Sequence, residues 1–327
     1  MSALSAVYGG VARFRRSWYE RRPAARTRLA RPVISVGNLV VGGSGKTPVV
    51  AAIASTLTRL GHRPAILSRG YGRIGRSSDV VVVSEGMGPL VPARESGDEP
   101  QMLARELASV PIVVSADRSR AGAIAIERFN ATVLLLDDGF QHLRLERTID
   151  LLVLAAADLD DRLLPAGRLR EPLSAAQTAD AVLVYGDADN ARQVAGGAGV
   201  SQSFFVRRQV RPMRPLSEPG TTPAHNARVV AVAGIARPER FFETLRRTHD
   251  VSREFAFHDH HWFTEGDVRE IERHARDAGV DAVVTTAKDA VRLDRHRAVM
   301  SLPWAILPIE VSIEPAVEFE SWLRQRL

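Results

Sequence analysis

Lys46 and Thr47 end a glycine-rich run, Gly42-Gly43-Ser44-Gly45, that follows a short apolar stretch; residues 33–50 read VISVGNLVVGGSGKTPVV. Strand, glycine-rich turn and helix in that order are the context in which such a run cradles phosphate. Glycines let successive backbone N–H groups converge on phosphate oxygens, and the start of the following helix adds positive potential. Lys46 would reach the β- and γ-phosphates of a nucleoside triphosphate, and the Thr47 hydroxyl would ligate Mg²⁺. The generic pattern asks for a glycine separated by four residues from Gly45-Lys46-Thr47; Val40 stands there instead. Of the 44 basic residues only Lys46 and Lys288 are lysines. Lysine and arginine differ in shape and reach, so the two surviving lysines draw notice, and both fall inside motifs.

Carboxylates offer the complementary chemistry. The apolar run 132–136 ends in Asp137-Asp138, and an acid at the carboxyl end of a buried parallel strand faces the ligand crevice. There a second carboxylate holds Mg²⁺ or its water in P-loop proteins. Gly139-Phe140-Gln141-His142 follow as a turn aimed at the same crevice; a plain Asp-Gly turn at a strand end is the alternative. Gly97-Asp98-Glu99-Pro100 precedes a helical pattern. Both acids suit a helix start by charge alone, or Asp98 accepts a proton and Glu99 partners a metal. His258-Asp259-His260-His261 is the densest histidine cluster. It lacks the helical His pair of a zinc site, which leaves a catalytic or substrate-facing role, or a surface turn.

These residues need a scaffold, and the chain supplies one. Short apolar runs at 32–36, 64–68, 80–83, 112–115, 132–136, 149–154 and 181–185 alternate with helical patterns at 47–60, 101–107 and 118–129. Continuous apolar strands separated by helices indicate a parallel sheet covered on both faces. Residues 207–224, rich in Arg, Pro, Ser and Thr, read as a linker. The alternation then restarts, with strands at 229–233, 282–285 and 304–307 and helices at 238–247, 265–278 and 315–324. The expected architecture is α/β: a P-loop NTPase-like domain over 31–206 with a mostly parallel sheet and helices on both faces, and a smaller α/β domain over 225–327.

Length and composition agree. The chain has 327 residues, 45% apolar and 25% charged, enough for two domains with cores of their own. It has no cysteine, which excludes disulfides and thiolate chemistry. The net charge of +6 suits anionic ligands or surfaces. Residues 1–31 hold eight arginines and one acid, Glu20, while Leu4, Val7, Tyr8, Val11, Phe14 and Trp18 recur at helical spacing. Such a basic amphipathic segment, taken as residues 1–30, is expected to lie on an anionic membrane surface. No continuous apolar stretch is long enough to span one.

The segments VGNLVVGGSGKTPVV, SRGYGR (68–73), GDEP (97–100), DDGFQH (137–142), LPAGRLREP (164–172), FHDHHWF (257–263) and TTAKD (285–289) together resemble the blocks of the tetraacyldisaccharide 4′-kinase family, the lipid A 4′-kinases, and keep the family's order. The resemblance implies a P-loop kinase that takes ATP and Mg²⁺ and phosphorylates the 4′-hydroxyl of an acylated glucosamine disaccharide 1-phosphate, peripherally bound at the cytoplasmic face of the inner membrane. It also implies roles: Asp98 and His260 as a catalytic pair, assembled by closure of the two domains; Lys46 on phosphate; Thr47, Glu99 and Asp138 on the metal side; and Tyr71, Asp137, Gln141, His142 and Arg170 near nucleotide or substrate. The family's own loop tolerates valine at position 40. Two other P-loop readings, a GTPase and a metallochaperone NTPase, stay in view, although the Asn-Lys-x-Asp motif for a guanine base is missing. A nucleic-acid-dependent ATPase lacks the aromatic-basic platform for bases. A membrane scaffold with a relic loop would show no lipid-dependent ATP turnover.

Overall fold

The computed structural model describes residues 3–74, 79–216 and 220–327. Fourteen strands are assigned among them: β1 (Val33–Gly37), β2 (Pro64–Ser68), β3 (Val81–Ser84), β4 (Ile112–Val114), β5 (Val133–Asp137), β6 (Ile149–Leu154), β7 (Ala181–Tyr185), β8 (Ser203–Val210), β9 (Arg214–Pro215), β10 (Arg228–Ala233), β11 (Asp250–Ala256), β12 (Ala282–Thr286), β13 (Trp304–Leu307) and β14 (Ile309–Glu314). The helices are α1 (Ala3–Glu20), α2 (Lys46–Arg59), α3 (Ala93–Ser96), α4 (Asp98–Glu106), α5 (Arg118–Phe129), α6 (Ala156–Leu159), α7 (Ala188–Ala198), α8 (Pro238–Arg246), α9 (Glu265–Asp277), α10 (Ala287–Leu293) and α11 (Ala316–Arg324). The chain forms two compact units, one of Met1–Arg208 with Val311–Leu327, the other of Gln209–Glu310.

The first unit is built on a nine-stranded sheet in the order β14-β8-β7-β6-β1-β5-β2-β4-β3. The pairs from β8 through β7, β6, β1, β5 and β2 to β4 are parallel, and β3 closes the edge antiparallel to β4. The strands are apolar throughout because both faces are covered. In β5, Val133 and Leu135 point into one core with Ile66, Ile112 and α2; Leu134 and Leu136 point into another with Leu67, Val113 and α5. The chain leaves β1 for β2 on one side and lays β6 on the other, so the strand order reverses at β1. In open α/β sheets ligands bind outside the carboxyl ends of the strands at such a reversal. Val36 of β1 stands in register with Asp137 of β5, which sets the glycine loop and the two acids side by side.

The second unit carries a five-stranded sheet, β11-β10-β12-β13-β9, with β9 alone antiparallel. Its two faces bury separate cores, around Val230, Val232 and Ile271 on one and around Val229, Ala231 and Phe241 on the other. The fold class is the one expected.

The boundaries differ. Residues 207–224 were expected as a linker, yet β8 runs to Val210 and β9 pairs with β13 through Pro215 and Arg214. A proline with no N–H to donate is tolerated on such an edge. Residues 225–327 were expected as one domain, yet Val311–Leu327 returns to the first unit. There Phe319 and Trp322 of α11 meet Phe204 of β8, ring centroids 5.0 and 5.7 Å apart. Residues 217–219 of the expected linker, and residues 1–2 of the expected N-terminal segment, lie outside the described residues.

The N-terminal helix forms despite Gly9 and Gly10, and α1 belongs to the first unit. A Cβ at Gly9 would stand 2.5 Å from Leu163 Cδ1, whereas one at Gly10 would meet nothing. Gly9 therefore lets the helix approach the body of the unit. Leu4, Val7, Val11 and Phe14 face outward, each more than 60% exposed. No helix among the described residues is long and apolar enough to cross a membrane.

Candidate active site

The loop after β1 runs from Asn38 to Gly45, and α2 begins at Lys46. Its first half is extended: Val40 bridges Leu169, Val41 N–H donates to Arg168 O at 2.9 Å, and Arg170 N–H donates to Leu39 O at 2.6 Å. A residue in that ladder needs no positive φ, which is why valine serves at position 40. The turn itself falls on Gly42 (φ 97°) and Gly45 (φ 81°), a region open to glycine and strained for most other residues. Tyr185 at the end of β7 donates its hydroxyl to Gly45 O at 2.7 Å and braces the turn.

The Lys46 ammonium folds back over this loop. It lies 3.1 Å from Asn38 Oδ1, 3.3 Å from Ser44 Oγ and 3.4 Å from Asp138 Oδ1. Asp138 holds a left-handed conformation (φ 55°) and receives a bidentate pair from Arg170, at 3.0 and 2.9 Å. Arg170 also donates to the Asn38 side chain. Burial opposes ionisation of Asp138, but Arg170 and Lys46 outweigh it and hold the carboxyl down to about 2.

Asp137 behaves in the opposite way. It is buried at the end of β5, with Ser68 Oγ–H 3.5 Å from Oδ2 and no hydrogen-bond partner for Oδ1. Burial first, then the charges of Glu99 and Asp138, push it up to about 7 against the pull of Lys46 and Arg118. Glu99 and Asp98 open α4, where Asp98 is buried and its Oδ1 accepts the Glu99 N–H at 3.0 Å. Gln141 donates to Asn38 O at 3.0 Å. His142 is pulled down to about 4 by burial and by Arg118 and Arg147, so its ring is neutral at neutral pH. The first unit thus gathers Lys46, Thr47, Asp137, Asp138, Gln141 and Arg170 at one strand edge, with the Glu99 charge felt at Asp137. Tyr71 is 71% exposed, and its backbone carbonyl lies against Gly97, just ahead of Asp98.

In the second unit the three histidines separate by role. His261 stacks on Phe257, and its Nε2 lies 2.9 Å from Asp267 Oδ2, the acid of the capping box of α9. His258 Nε2 lies 3.1 Å from His261 Nδ1. His260 stands in a left-handed turn (φ 61°), its N–H donating to Asp259 Oδ1 at 3.0 Å. Lys288 Nζ is 3.3 Å from His260 Nε2 and 3.2 Å from Asp259 Oδ1. The same ring nitrogen lies 3.7 Å from Asp259 Oδ2, so lysine and carboxylate meet at one edge of the imidazole. The acid next to that lysine supports the fold instead. Asp289 is wholly buried, pairs with Arg292 and accepts the Gly234 N–H at 3.0 Å.

The family model for tetraacyldisaccharide-1-P 4′-kinase matches residues 1–327. The chain belongs to the tetraacyldisaccharide 4′-kinase family. A tetraacyldisaccharide 4′-kinase of Geobacter sulfurreducens is 39% identical over 308 residues, covering 90% of this chain and 84% of that protein. One of Syntrophus aciditrophicus is 39% identical over 330 residues, covering 94% and 87%. The crystal structure of LpxK from Aquifex aeolicus in complex with ATP is 31% identical, with a TM-score of 0.79 over 99% of this chain and 97% of that one.

Within this member of the 4′-kinase family, four contributors went unread in the sequence. Asn38 touches Lys46, Arg170 and Gln141, and its place directly after β1 was the available signal. Ser68 and Tyr185 stand at the carboxyl ends of β2 and β7. Arg118 begins α5 just beyond β4 and is 4% exposed. Burial and Arg69 lower it to about 10, while Asp137, Asp138 and Asp117 oppose that change. All four lie on the edge of the sheet where a ligand crevice is expected.

Proposed function

We propose that this chain transfers the γ-phosphate of ATP to the 4′-hydroxyl of a tetraacyldisaccharide 1-phosphate at the cytoplasmic face of the inner membrane. Membership of the 4′-kinase family supports the reaction. The single observation that carries it is the convergence of the 42–47 loop, Lys46 and the Asp138–Arg170 pair at the ends of β1 and β5. Backbone N–H groups of Gly42, Gly43, Ser44, Gly45, Lys46 and Thr47 bind the phosphates, and Lys46 follows the charge on the transferring group. Phosphoryl transfer asks for such positioning and neutralisation more than for covalent chemistry.

The residues present fit a Mg²⁺ that takes one or two carboxylates and fills the rest of its shell from phosphate and water; among the described residues no three such side chains converge on one ion. Asp137 Oδ1 is a buried carboxylate oxygen without a hydrogen bond, and the charges of Glu99 and Asp138 crowd it. A hard cation accepts oxygen donors of this kind. Thr47, Glu99 and Asp138 are the family's metal-side residues, and the orphaned oxygen makes Asp137 a further candidate ligand. When bound, Mg²⁺ supplies neutralisation of phosphate charge.

Asp98 accepts the proton of the 4′-hydroxyl; the family motifs support catalytic roles for Asp98 and for His260. A sugar hydroxyl does not ionise beforehand, so the proton leaves as the oxygen bonds to phosphorus. Tyr71, Gln141, His142 and Arg170 serve nucleotide or acceptor. The acyl chains keep the acceptor in the bilayer, since each buried CH₂ is worth about 0.8 kcal/mol. The outward stripe of Leu4, Val7, Val11 and Phe14 brings the enzyme to an anionic surface, helped by the neighbouring arginines.

The test incubates protein, labelled ATP and acylated disaccharide 1-phosphate and follows label into lipid. Asp98→Ala is expected to lower turnover by about 10²–10⁴-fold with ATP affinity near normal. An equal loss of ATP binding would move Asp98 to the metal side, and no labelled lipid with the wild type would end the reading.

A further inference from the structure

One face of α1 is the outward apolar stripe; the other is fastened to the segments that build the phosphate site. Tyr8 donates its hydroxyl to Arg170 O at 3.0 Å, and Arg15 donates to Gln141 O at 3.2 Å. Arg16 is 7% exposed although it is an arginine on the first helix of the chain. Its Nε and Nη2 grip Glu171 at 2.6 and 3.0 Å, and its Nη1 donates to Thr178 Oγ1 at 2.9 Å. The guanidinium lies 4.4 Å from the centre of the Phe140 ring, and Nη2 reaches Phe140 O at 3.4 Å.

Those partners are neighbours of the working groups. Glu171 follows Arg170, which holds Asp138, and Phe140 and Gln141 continue the turn that begins at Asp137. Phe140 also packs so tightly on Gly37 that a Cβ there would stand 2.4 Å from Phe140 Cβ. A membrane anchor needs none of this. It needs only the outward stripe, and its inward face would dock as well through apolar side chains. A buried ion pair adds little net stability over an apolar substitute, while breaking one by removing a partner is strongly destabilising. A fork-shaped donor held on both sides adds geometric specificity as well as energy.

We infer that Arg16 is a positioning residue for phosphoryl transfer, so that α1 is part of the active-site framework as well as the element that meets the lipid. Arg16 sets the 170–171 segment and the 137–141 turn relative to each other, and through them the Arg170–Asp138 pair beside Lys46. The inference rests on the kinase reading. An anchor alone implies that loss of residues 1–28 spares activity on detergent-dispersed acceptor; a positioning role implies that this activity falls together with binding to vesicles.

The experiment compares full-length wild type, Arg16→Leu, Arg16→Lys and the stripe variant Val11→Ser/Phe14→Ser. Turnover is measured on detergent-dispersed disaccharide 1-phosphate and normalised to the number of MgATP-binding sites titrated in each preparation, so unfolded protein does not count. Partition onto vesicles of anionic phospholipid is measured alongside. The stripe variant is expected to lose partition and keep its turnover on dispersed acceptor. Arg16→Leu is expected to keep partition and the KM for ATP while kcat per site falls between about tenfold and 10²-fold, as misplacement of about an ångström does. Arg16→Lys, which keeps the charge but not the fork, is expected to fall between Arg16→Leu and wild type. Wild-type kcat per site in both Arg16 variants would overturn the inference while leaving the kinase reading intact. Absence of transfer by the wild type would overturn both.

Discussion

Asp137 and Asp138 are adjacent in sequence, yet one carboxyl is held down to about 2 and the other pushed up to about 7. The difference is the company each keeps: Asp138 meets the Arg170 fork, while Asp137 is buried with an unpartnered oxygen beside Glu99. The raised value fixes a direction for stability. Between its ordinary value near 3.8 and about 7, the folded state binds a proton that the unfolded state has released. Asp137 therefore makes stability fall as pH rises through that window, with the full penalty present above about 7. Asp137→Asn removes the buried charge at nearly constant shape. It is expected to raise the melting temperature at pH 8 in metal-free buffer, with the gain disappearing as pH falls to about 4. Transfer to lipid is expected to drop by about 10²-fold or more. A variant melting below wild type at pH 8 would mean that a partner already stabilises the ionised carboxyl. Asp138 carries the opposite sign: its ionised, paired form adds stability above pH 4 or so, lost as pH falls toward about 2.

At the level of elements, α1 and the loop after β1 depend on where a side chain is missing. Gly9 sits against Leu163, whereas Gly10 of the same helix faces open space. Two neighbouring substitutions should therefore act in opposite directions. Gly9→Val forces the helix off its seat at a cost of about 1–3 kcal/mol and should lower kcat on detergent-dispersed acceptor by loosening Arg16. Gly10→Ala relieves the glycine penalty in a helix interior and is expected to stabilise by about 1 kcal/mol. Thermal melts of both variants, with kcat per nucleotide site, decide the matter; similar melting temperatures would mean that α1 does not dock at Gly9. Glycine in a helix interior is destabilising in general. Gly9 is in fact what allows this helix to pack.

Across the whole molecule, the sheet of the first unit was legible because strands buried on both faces are continuous apolar runs. Strands β8, β11 and β14 escaped notice because they mix apolar with charged residues: SFFVRRQV, DVSREFA and IEVSIE. The return of α11 to Phe204 joins residues more than a hundred positions apart, which no local pattern announces. The site divides similarly. Lys46, Thr47 and the two acids are announced by contiguous motifs. The grip of Arg170 on Asp138, the Arg16–Glu171 pair and the burial of Arg118 are set by tertiary packing. The histidine cluster lay between these cases: its composition marked the place, and contacts with Lys288 and Asp267 gave His260 and His261 different roles.

The two lysines give the molecule an unusual chemical sparseness. The Lys46 side chain is 14% exposed and that of Lys288 16%, each engaged by a carboxylate. An endoprotease that cleaves only after lysine thus has two targets in 327 residues, one in each compact unit, and neither is offered on an open loop. Digestion then tracks the fraction of molecules in which a unit has opened, and the fragments identify which one. Saturating MgATP is expected to slow scission after Lys46, and unchanged scission there would mean that nucleotide does not hold that unit closed.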